Sequence, residues 1–581
     1  MVKRSSGNAS SLFNQRSSFL TVFLLLLFSG IIARLFYLQV IQGSKILAQA
    51  NAQHKIYKQL YPTRGQIELA DNSSDIDTFP LAANLKSYLV YAVPQDITNP
   101  NLTANSLASV LGLESKDILE KITDTNKKYI PLKKKLTDAE QDQIKQLDLP
   151  GIFFDSEDTR FYPAGDLLSQ TVGFVGYKGD SPRKVGLYGL ERYFEKELAG
   201  ELGSLSSETD NSGAQIFGLG SSGKPAVDGT NLILTIDKTI QFQAQSILKD
   251  AVVKNQADSG SVIVVDPKTG KILAMANYPD FNPNEFNKVE DPAFFNNIAT
   301  TGSFEPGSTF KAITMAASIN EGKVGPDSTY IDTGVVEVDG FKIKNSDLKA
   351  HGLQTMTQVL DESLNTGAIY AKEQIGNPTF LGYLQKFGFG QVTGVELPEA
   401  QGNLDGLKSN IKVNYDTASF GQGITATPLQ LVQAYTAFAN QGKMMKPYIV
   451  QSKIHSDGQI ENTKPKQVSQ VISAKTASTI GAMLVSVVEN GHGKKAGVPG
   501  YYVAGKTGTA QVPKKNGKGY EDNINIGSFI GFAPVEDPRF VIMVRIDHPR
   551  DVNYAEVTAA PAWGQLAQFI LNYYHIPPTR P

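Results

Sequence analysis

The chain has 581 residues, which at roughly 150 residues per domain gives two to four domains, and its 41% hydrophobic and 19% charged content is that of a folded globular protein. A formal net charge of -2, from 55 basic against 57 acidic side chains, offers no basic field to hold a phosphate backbone, so nucleic acid is not an expected partner. With Cys 0, disulfides, Cys-ligated zinc, thiol nucleophiles and lipid attachment through cysteine all fall away, and any chemistry must use oxygen or nitrogen groups.

From Phe19 to Ala33 every residue but Thr21, Ser29 and Gly30 is strongly apolar, and after Arg34 the run resumes through Val40. About 22 such residues span roughly 33 Å as a helix, enough for a bilayer core. Lys3, Arg4 and Arg16 precede it without an acid, so the positive-inside rule keeps a short tail of residues 1–16 in the cytoplasm, an anchor over 17–41, and the bulk outside. The small-x-small sequence Ala48-Gln49-Ala50 could suit a signal peptidase, but about 14 residues, some of them apolar, separate it from Ala33, where a cleavage site normally follows the apolar stretch closely. A buried core helix would leave the basic flank unexplained.

Residues 42–202 alternate strand-like pieces, such as Ser87 to Tyr91, with helix-like ones, such as Leu102 to Leu111. Gly203 to Gly229 is dense in Gly, Ser and Asp and reads as a linker or extended excursion. A second domain is expected near Asn231, with a strand over Asn231 to Ile236 and a helix over Thr239 to Val253. Ser261 to Val265 and Lys271 to Asn277 flank a turn, as do Ile526 to Ala533 and Phe540 to Ile546, and a helix over Ala560 to Tyr574 follows. Strands at both ends with helical material between predict one antiparallel sheet assembled from distant pieces around an inserted helical block.

Ser-x-x-Lys sets a hydroxyl and an amine one helical turn apart, so that an unprotonated lysine can take the serine proton. The spacing occurs at Ser181, Ser221, Ser246, Ser308, Ser346 and Ser409, and a surface serine beside a solvated lysine is its ordinary meaning. Only at Ser308 does context favour chemistry: Glu305-Pro306-Gly307-Ser308-Thr309-Phe310-Lys311 is a turn entering an apolar helix. Burial there would disfavour the Lys311 ammonium, and free N–H groups at the helix start suit an oxyanion. Lys-Thr-Gly occurs at Lys268, inside a hairpin turn, and at Lys506-Thr507-Gly508, after the strand-like Tyr501 to Ala504. Ser-x-Asn occurs at Ser6, in the tail, at Ser318, on the helix of Ser308 but facing elsewhere, and at Ser363-Leu364-Asn365.

The ordered set Ser308-Lys311, Ser363-Asn365, Lys506-Thr507-Gly508 is the trio of penicillin-binding proteins and class A β-lactamases. Beyond the trio, the chain resembles the class B penicillin-binding proteins along nearly its whole length. The matching text includes Arg34-Leu35, Leu38-Gln39-Val40, Arg64-Gly65, Arg160-Phe161-Tyr162-Pro163, Gly189-Leu190-Glu191, Leu234 to Asp237, Glu305 to Lys311 and Gly421-Gln422-Gly423. It looks most like the division-specific septal type, through Ser419 to Ile424, Thr427 to Gln430 and Ser528 to Pro534. It departs from the family after Arg64-Gly65, where Gln66-Ile67-Glu68-Leu69-Ala70-Asp71-Asn72 stands in place of an Ile-x-Asp-Arg-Asn-Gly stretch.

The resemblance implies an α/β (α+β) fold: one transmembrane helix, an elongated pedestal with linker over 42–230, a transpeptidase domain over 231–575 with a central antiparallel sheet, and a tail over 576–581. It implies a peptidoglycan D,D-transpeptidase of the bacterial cytoplasmic membrane, with Ser308 as nucleophile and Lys311 as its base. Ser363 with Lys506 would relay a proton to the departing D-Ala, and Asn365 would hold the substrate amide. Lys506, Thr507, Gly508 and Thr509 would line the carboxylate site, and backbone N–H groups of Ser308 and Thr509 would form the oxyanion hole. Partners would be stem peptides, β-lactams, a membrane glycosyltransferase and other division proteins, with no metal or cofactor. An elongation-type enzyme, a β-lactamase and a non-cross-linking β-lactam sensor or scaffold share these residues.

Two rivals rest on other motifs. Gly500 to Thr507 satisfies the Walker A pattern, but Tyr501-Tyr502-Val503 favours a strand and Gly508 to Pro513 starts a helix poorly. None of His54, His351, His455, His492, His548 or His575 forms a His-Glu-x-x-His pair, and Gly-x-Ser-x-Gly is absent, so neither a helical zinc protease nor a Ser-His-Asp hydrolase is supported.

Overall fold

The computed structural model describes residues 9–45, 55–70, 78–179, 183–208, 222–514, 519–550 and 554–580. The chain divides into two units, Met1–Pro62 with Glu201–Val227, and Thr63–Gly200 with Asp228–Pro581.

In the first unit a helix over Ala9–Phe36 ends in a π-helical turn over Tyr37–Ile41. Residues 18–41 are long and apolar enough to cross a membrane. Lys3, Arg4 and the Ala48-Gln49-Ala50 sequence lie outside the described residues. The expected linker is partly ordered: Gly203–Glu208 pairs antiparallel with both Lys55–Leu60 and Ser222–Lys224. Its small polar residues lack apolar alternation, which hid these strands from a periodicity reading; residues 209–221 lie outside the described set.

The second unit holds two large sheets. The mixed one runs in the order Ile460–Asn462, Val450–Ile454, Asn231–Leu234, Ile67–Ala70, Thr78–Ala92, Ile130–Leu136, with Ile152–Phe161 also on Thr78–Ala92. Asn231–Leu234 therefore joins Ile67–Ala70 in parallel rather than the later sheet. The strand ends at Leu234, earlier than expected, and Asp237 then caps the helix Lys238–Lys254 by accepting from Thr239 and Ile240 N–H. Ile67 and Leu69, within the stretch that departs from the family, are fully buried; Asp71 and Asn72 lie outside the described residues.

Arg64, Arg160 and Glu191, from three separate matching stretches, meet in this unit. Arg64 Nε donates to Glu191 Oε2 and Arg160 Nε to Glu191 Oε1, both at 2.7 Å. Burial pushes the Glu191 carboxyl up, but the two guanidiniums outweigh it and hold the group below its ordinary range.

The five-stranded sheet is antiparallel throughout, in the order Ile272–Tyr278, Ser259–Val265, Phe540–Asp547, Tyr520–Ala533, Ala504–Pro513. It is covered on both faces, which is why its strands read as continuous apolar runs. Val262, Val264, Ile542 and Val544 pack with the helices Lys238–Lys254 and Ala559–Tyr573, and Trp563 Nε1 donates to Ile542 O at 2.9 Å. Ile263, Val265, Val541 and Met543 face the inserted helical block. The outer strand starts only at Ala504, because Tyr501 is held in a turn on Val498 O and its hydroxyl bonds Ile576 O.

Candidate active site

Glu305-Pro306-Gly307 turns into a 3-10 segment over Gly307–Phe310 and then the helix Lys311–Asn320. Gly307 takes φ +55° and donates its N–H to Gly421 O at 3.1 Å, so the Gly421-Gln422-Gly423 stretch lies directly against this turn. A Cβ on Gly421 would stand 2.4 Å from Gly307 O, which excludes any side chain there. Tyr435 OH, from a wholly buried helix over Pro428–Ala439, donates to Thr309 O at 2.7 Å and fixes the turn from behind.

Lys311 is 1% exposed, and among the described residues its amine bonds only Ser363, the backbone carbonyl oxygen closely and Oγ at 3.3 Å. From the outer strand, Lys506 Nζ donates to the same Ser363 Oγ at 3.0 Å and to Thr507 O at 3.3 Å. The Ser363 hydroxyl thus lies between two buried amines. Burial, and then the neighbouring Lys506, depress Lys311 well below a lysine's ordinary value, and burial brings Lys506 down to about 7 against a partial pull upward from Asp361. A depressed amine beside a hydroxyl can exchange a proton with it near neutral pH, and two such amines around one hydroxyl form a short relay. The Ser308 hydroxyl is half-buried and has no hydrogen bond among the described residues.

Gly508 brings the outer strand onto the Ser308 turn: a Cβ there would meet Ser528 Oγ at 2.7 Å, Thr309 Cγ2 at 2.8 Å and Pro306 O at 3.1 Å. Thr509 is exposed, pairs with Gly527 and accepts the Ala555 N–H on Oγ1 at 3.3 Å. Asn365 opens the helix Asn365–Glu373 and donates its side-chain amide to Lys344 O at 2.8 Å. All three sequence motifs therefore converge.

The other matches do not converge. Ser246, Ser346 and Ser409 are exposed with exposed lysines, while Ser181 and Ser221, like Ser6 and His54, lie outside the described residues. Ser318 is buried and donates to Ala371 O, and Lys268 pairs at the surface with Asp537. Lys506 sits inside a strand, which a phosphate-binding loop does not permit. His351, His492 and His548 make surface contacts with Asp347, Glu556 and Asp258.

Sequence reasoning assigned no role to Glu305, whose buried carboxylate accepts from Gly423 N and Tyr520 OH, each at 3.0 Å. Burial pushes Glu305 up, and it pushes Tyr520 up beside that carboxylate, so the phenol stays a donor. Asp361, which accepts from Ser486 Oγ at 2.9 Å, was also missed. The first lay within a quoted motif; the second carried no signal.

Residues 260–568 match the model of the penicillin-binding protein transpeptidase domain, and residues 59–234 that of the penicillin-binding protein dimerisation domain. Stage V sporulation protein D of Bacillus subtilis is 35% identical over 97% of this chain and 87% of its own length. Peptidoglycan D,D-transpeptidase FtsI of Buchnera aphidicola subsp. Baizongia pistaciae is 31% identical over 97% and 96%. Penicillin-binding protein 3 of Mycobacterium tuberculosis, solved in complex with aztreonam, is similar with a TM-score of 0.69 at 27% identity, covering 90% of this chain and 99% of that one.

Proposed function

This chain belongs to the class B penicillin-binding proteins and is a serine-type peptidoglycan D,D-transpeptidase, and from that membership we propose that Ser308, Lys311, Ser363, Asn365 and Lys506 carry its chemistry. The observation that carries this reading is the Ser363 hydroxyl between two buried, depressed amines beside the nucleophile turn. Ser308 Oγ attacks the penultimate D-Ala carbonyl carbon while its proton passes to neutral Lys311. The C–N bond then breaks, and the leaving D-Ala nitrogen takes a proton through Ser363 and Lys506, leaving an ester on Ser308. An amine of a second stem peptide attacks that ester, forms the cross-link and returns the hydroxyl. Asn365 holds the substrate amide, and Lys506, Thr507, Gly508 and Thr509 receive the terminal carboxylate. The N–H groups of Ser308 and Thr509 receive the oxyanion, worth about 3–4 kcal/mol per donor.

A β-lactam ring presents the same carbonyl chemistry and is trapped as a stable ester on Ser308. The apolar helix over 18–41 anchors the chain in the cytoplasmic membrane with its N-terminus inside, where a membrane glycosyltransferase and other division proteins meet it. The pedestal and linker occupy 42–230, and the transpeptidase domain 231–575. The FtsI relatives and the Ser419 to Ile424 and Ser528 to Pro534 stretches favour septal work; the 35% identity to a sporulation protein favours a second reading, a role in sporulation.

The test is intact-mass analysis of the full chain in detergent, mixed with a penicillin. One drug per chain on the parent and none on Ser308→Ala is expected. A folded parent without an adduct overturns the site, rapid turnover of the drug marks a β-lactamase, and acylation without transfer between donor and acceptor peptides marks a sensor.

A further inference from the structure

The helix Asn365–Glu373 begins after Leu364, with no side-chain cap from its own flank. Its first N–H groups need acceptors, since a buried helix start has no water to supply them. They find one 20 residues upstream: Asn345 Oδ1 accepts from Asn365 N at 3.0 Å and from Thr366 N at 3.3 Å. The orientation of that amide is itself fixed, because Asn345 Nδ2 donates to Asp332 Oδ2 at 2.9 Å and to Lys349 O at 3.2 Å. Asp332 in turn accepts from Gly334 N and His351 N, each at 2.9 Å, and from Thr366 Oγ1 at 2.8 Å. Thr366 has one hydroxyl hydrogen, and Asp332, an acceptor only, claims it; Tyr330 OH, 3.1 Å away, then donates to Thr366 Oγ1. Asp332, Asn345 and Thr366 are all buried.

These groups sit where two small two-stranded sheets meet, Thr329–Asp332 with Gly352–Thr355 and Val335–Val338 with Phe341–Lys344. The second of these sheets grips the motif again through Asn365 Nδ2 on Lys344 O. Ser363 is held at φ +57°, a left-handed conformation that a serine keeps only where its surroundings over-determine it. We propose that Asn345, oriented by Asp332 and Thr366, is the positioning residue that holds Ser363 and Asn365 in front of the nucleophile turn. This inference rests on the roles given to Ser363 and Asn365 above. The segment over residues 329–355 then serves to carry a remote helix cap, and the reach of Ser363 Oγ toward both lysines depends on it.

The test follows acylation of the full chain in detergent by benzylpenicillin, at several drug concentrations, so that the acylation rate constant separates from drug dissociation. Melting curves set a temperature at which every variant is folded. Asn345→Ala is expected to slow the acylation step about tenfold to a hundredfold while leaving the dissociation constant within about threefold, since misplacement near the reacting atoms costs rate rather than ground-state binding. Thr366→Val, which keeps shape and removes the hydroxyl, is expected to move the same constant in the same direction and serves if Asn345→Ala does not fold. A parent-like rate constant in either folded variant overturns the proposal, as does a loss carried wholly by drug dissociation. Ser363→Ala at the parent rate would overturn the role of Ser363 and this inference with it; a slow Ser363→Ala beside a parent-like Asn345→Ala overturns this inference alone.

Discussion

Two buried lysines around one serine hydroxyl make the site a source of function and of instability together. In the unfolded chain Lys506 has a lysine's ordinary value of 10.5, and in the folded chain it falls to about 7. Between those values the unfolded state holds a proton that the native state lacks, so stability rises as pH rises through the window and the penalty is complete below it. Lys506→Met is accordingly expected to raise stability at neutral pH by about 1–2 kcal/mol, to flatten that rise, and to abolish acylation, as thermal melts across pH and intact mass will read. If this amine receives the carboxylate as proposed, it must be charged to do so, and drug acylation should fall on the alkaline side of about 7 in the free enzyme. Asp361 opposes the depression of Lys506, and Asp361→Asn is therefore expected to move this limb to lower pH. An unmoved limb in the folded variant would assign it to another group.

At the scale of elements, the distance between the outer strand and the nucleophile turn is set by one absent side chain. Gly508→Ala would place a methyl against Ser528 Oγ, Thr309 Cγ2 and Pro306 O, and since Thr309 is fully buried and Pro306 O is backbone, the strand must yield. We expect about a hundredfold loss of acylation with about 1–3 kcal/mol of stability, measured by stopped-flow and denaturant melts; a loss of stability alone would place the register elsewhere. What sequence can reveal follows from the same geometry. Ser259–Val265 and Phe540–Asp547 were legible because burial on both faces leaves a continuous apolar run, and Ser308 stood apart from its decoys because only its lysine opens an apolar helix. The partner of Asn231–Leu234 was not legible, because periodicity states that a strand is buried and not against which neighbour. The Glu305–Tyr520 bond joins residues 215 apart, and the cap from Asn345 leaves no mark on the flank of the helix that it closes.

For the molecule as a whole, the consequence is that the catalytic segment does not close its own core. Leu232 and Leu234 lie beside Ile67 and Leu69 in one sheet, and all four are fully buried. Phe174 stacks on Phe286 with ring centroids 4.3 Å apart and meets Phe295 edge-on at 4.8 Å, while Tyr188 also meets Phe295, at 5.1 Å. A fragment over residues 231–581 would therefore bare an unpaired strand edge and an aromatic face, each buried aromatic being worth about 1.5–3 kcal/mol of lost burial. Glu191→Gln inside the full chain attacks the N-terminal part of this unit chemically, leaving Arg160 without its carboxylate and Arg64 with Glu195 alone, at an expected cost of about 3–5 kcal/mol. Glu191 lies far from Ser308 in sequence, yet its substitution is expected to lower the melting transition of the whole Thr63–Gly200 and Asp228–Pro581 unit as one step, with penicillin acylation lost in that same step. A calorimetric trace in which Glu191→Gln melts early while the drug-binding step stays at the parent temperature would instead make the two segments independent folding units, joined by contact alone.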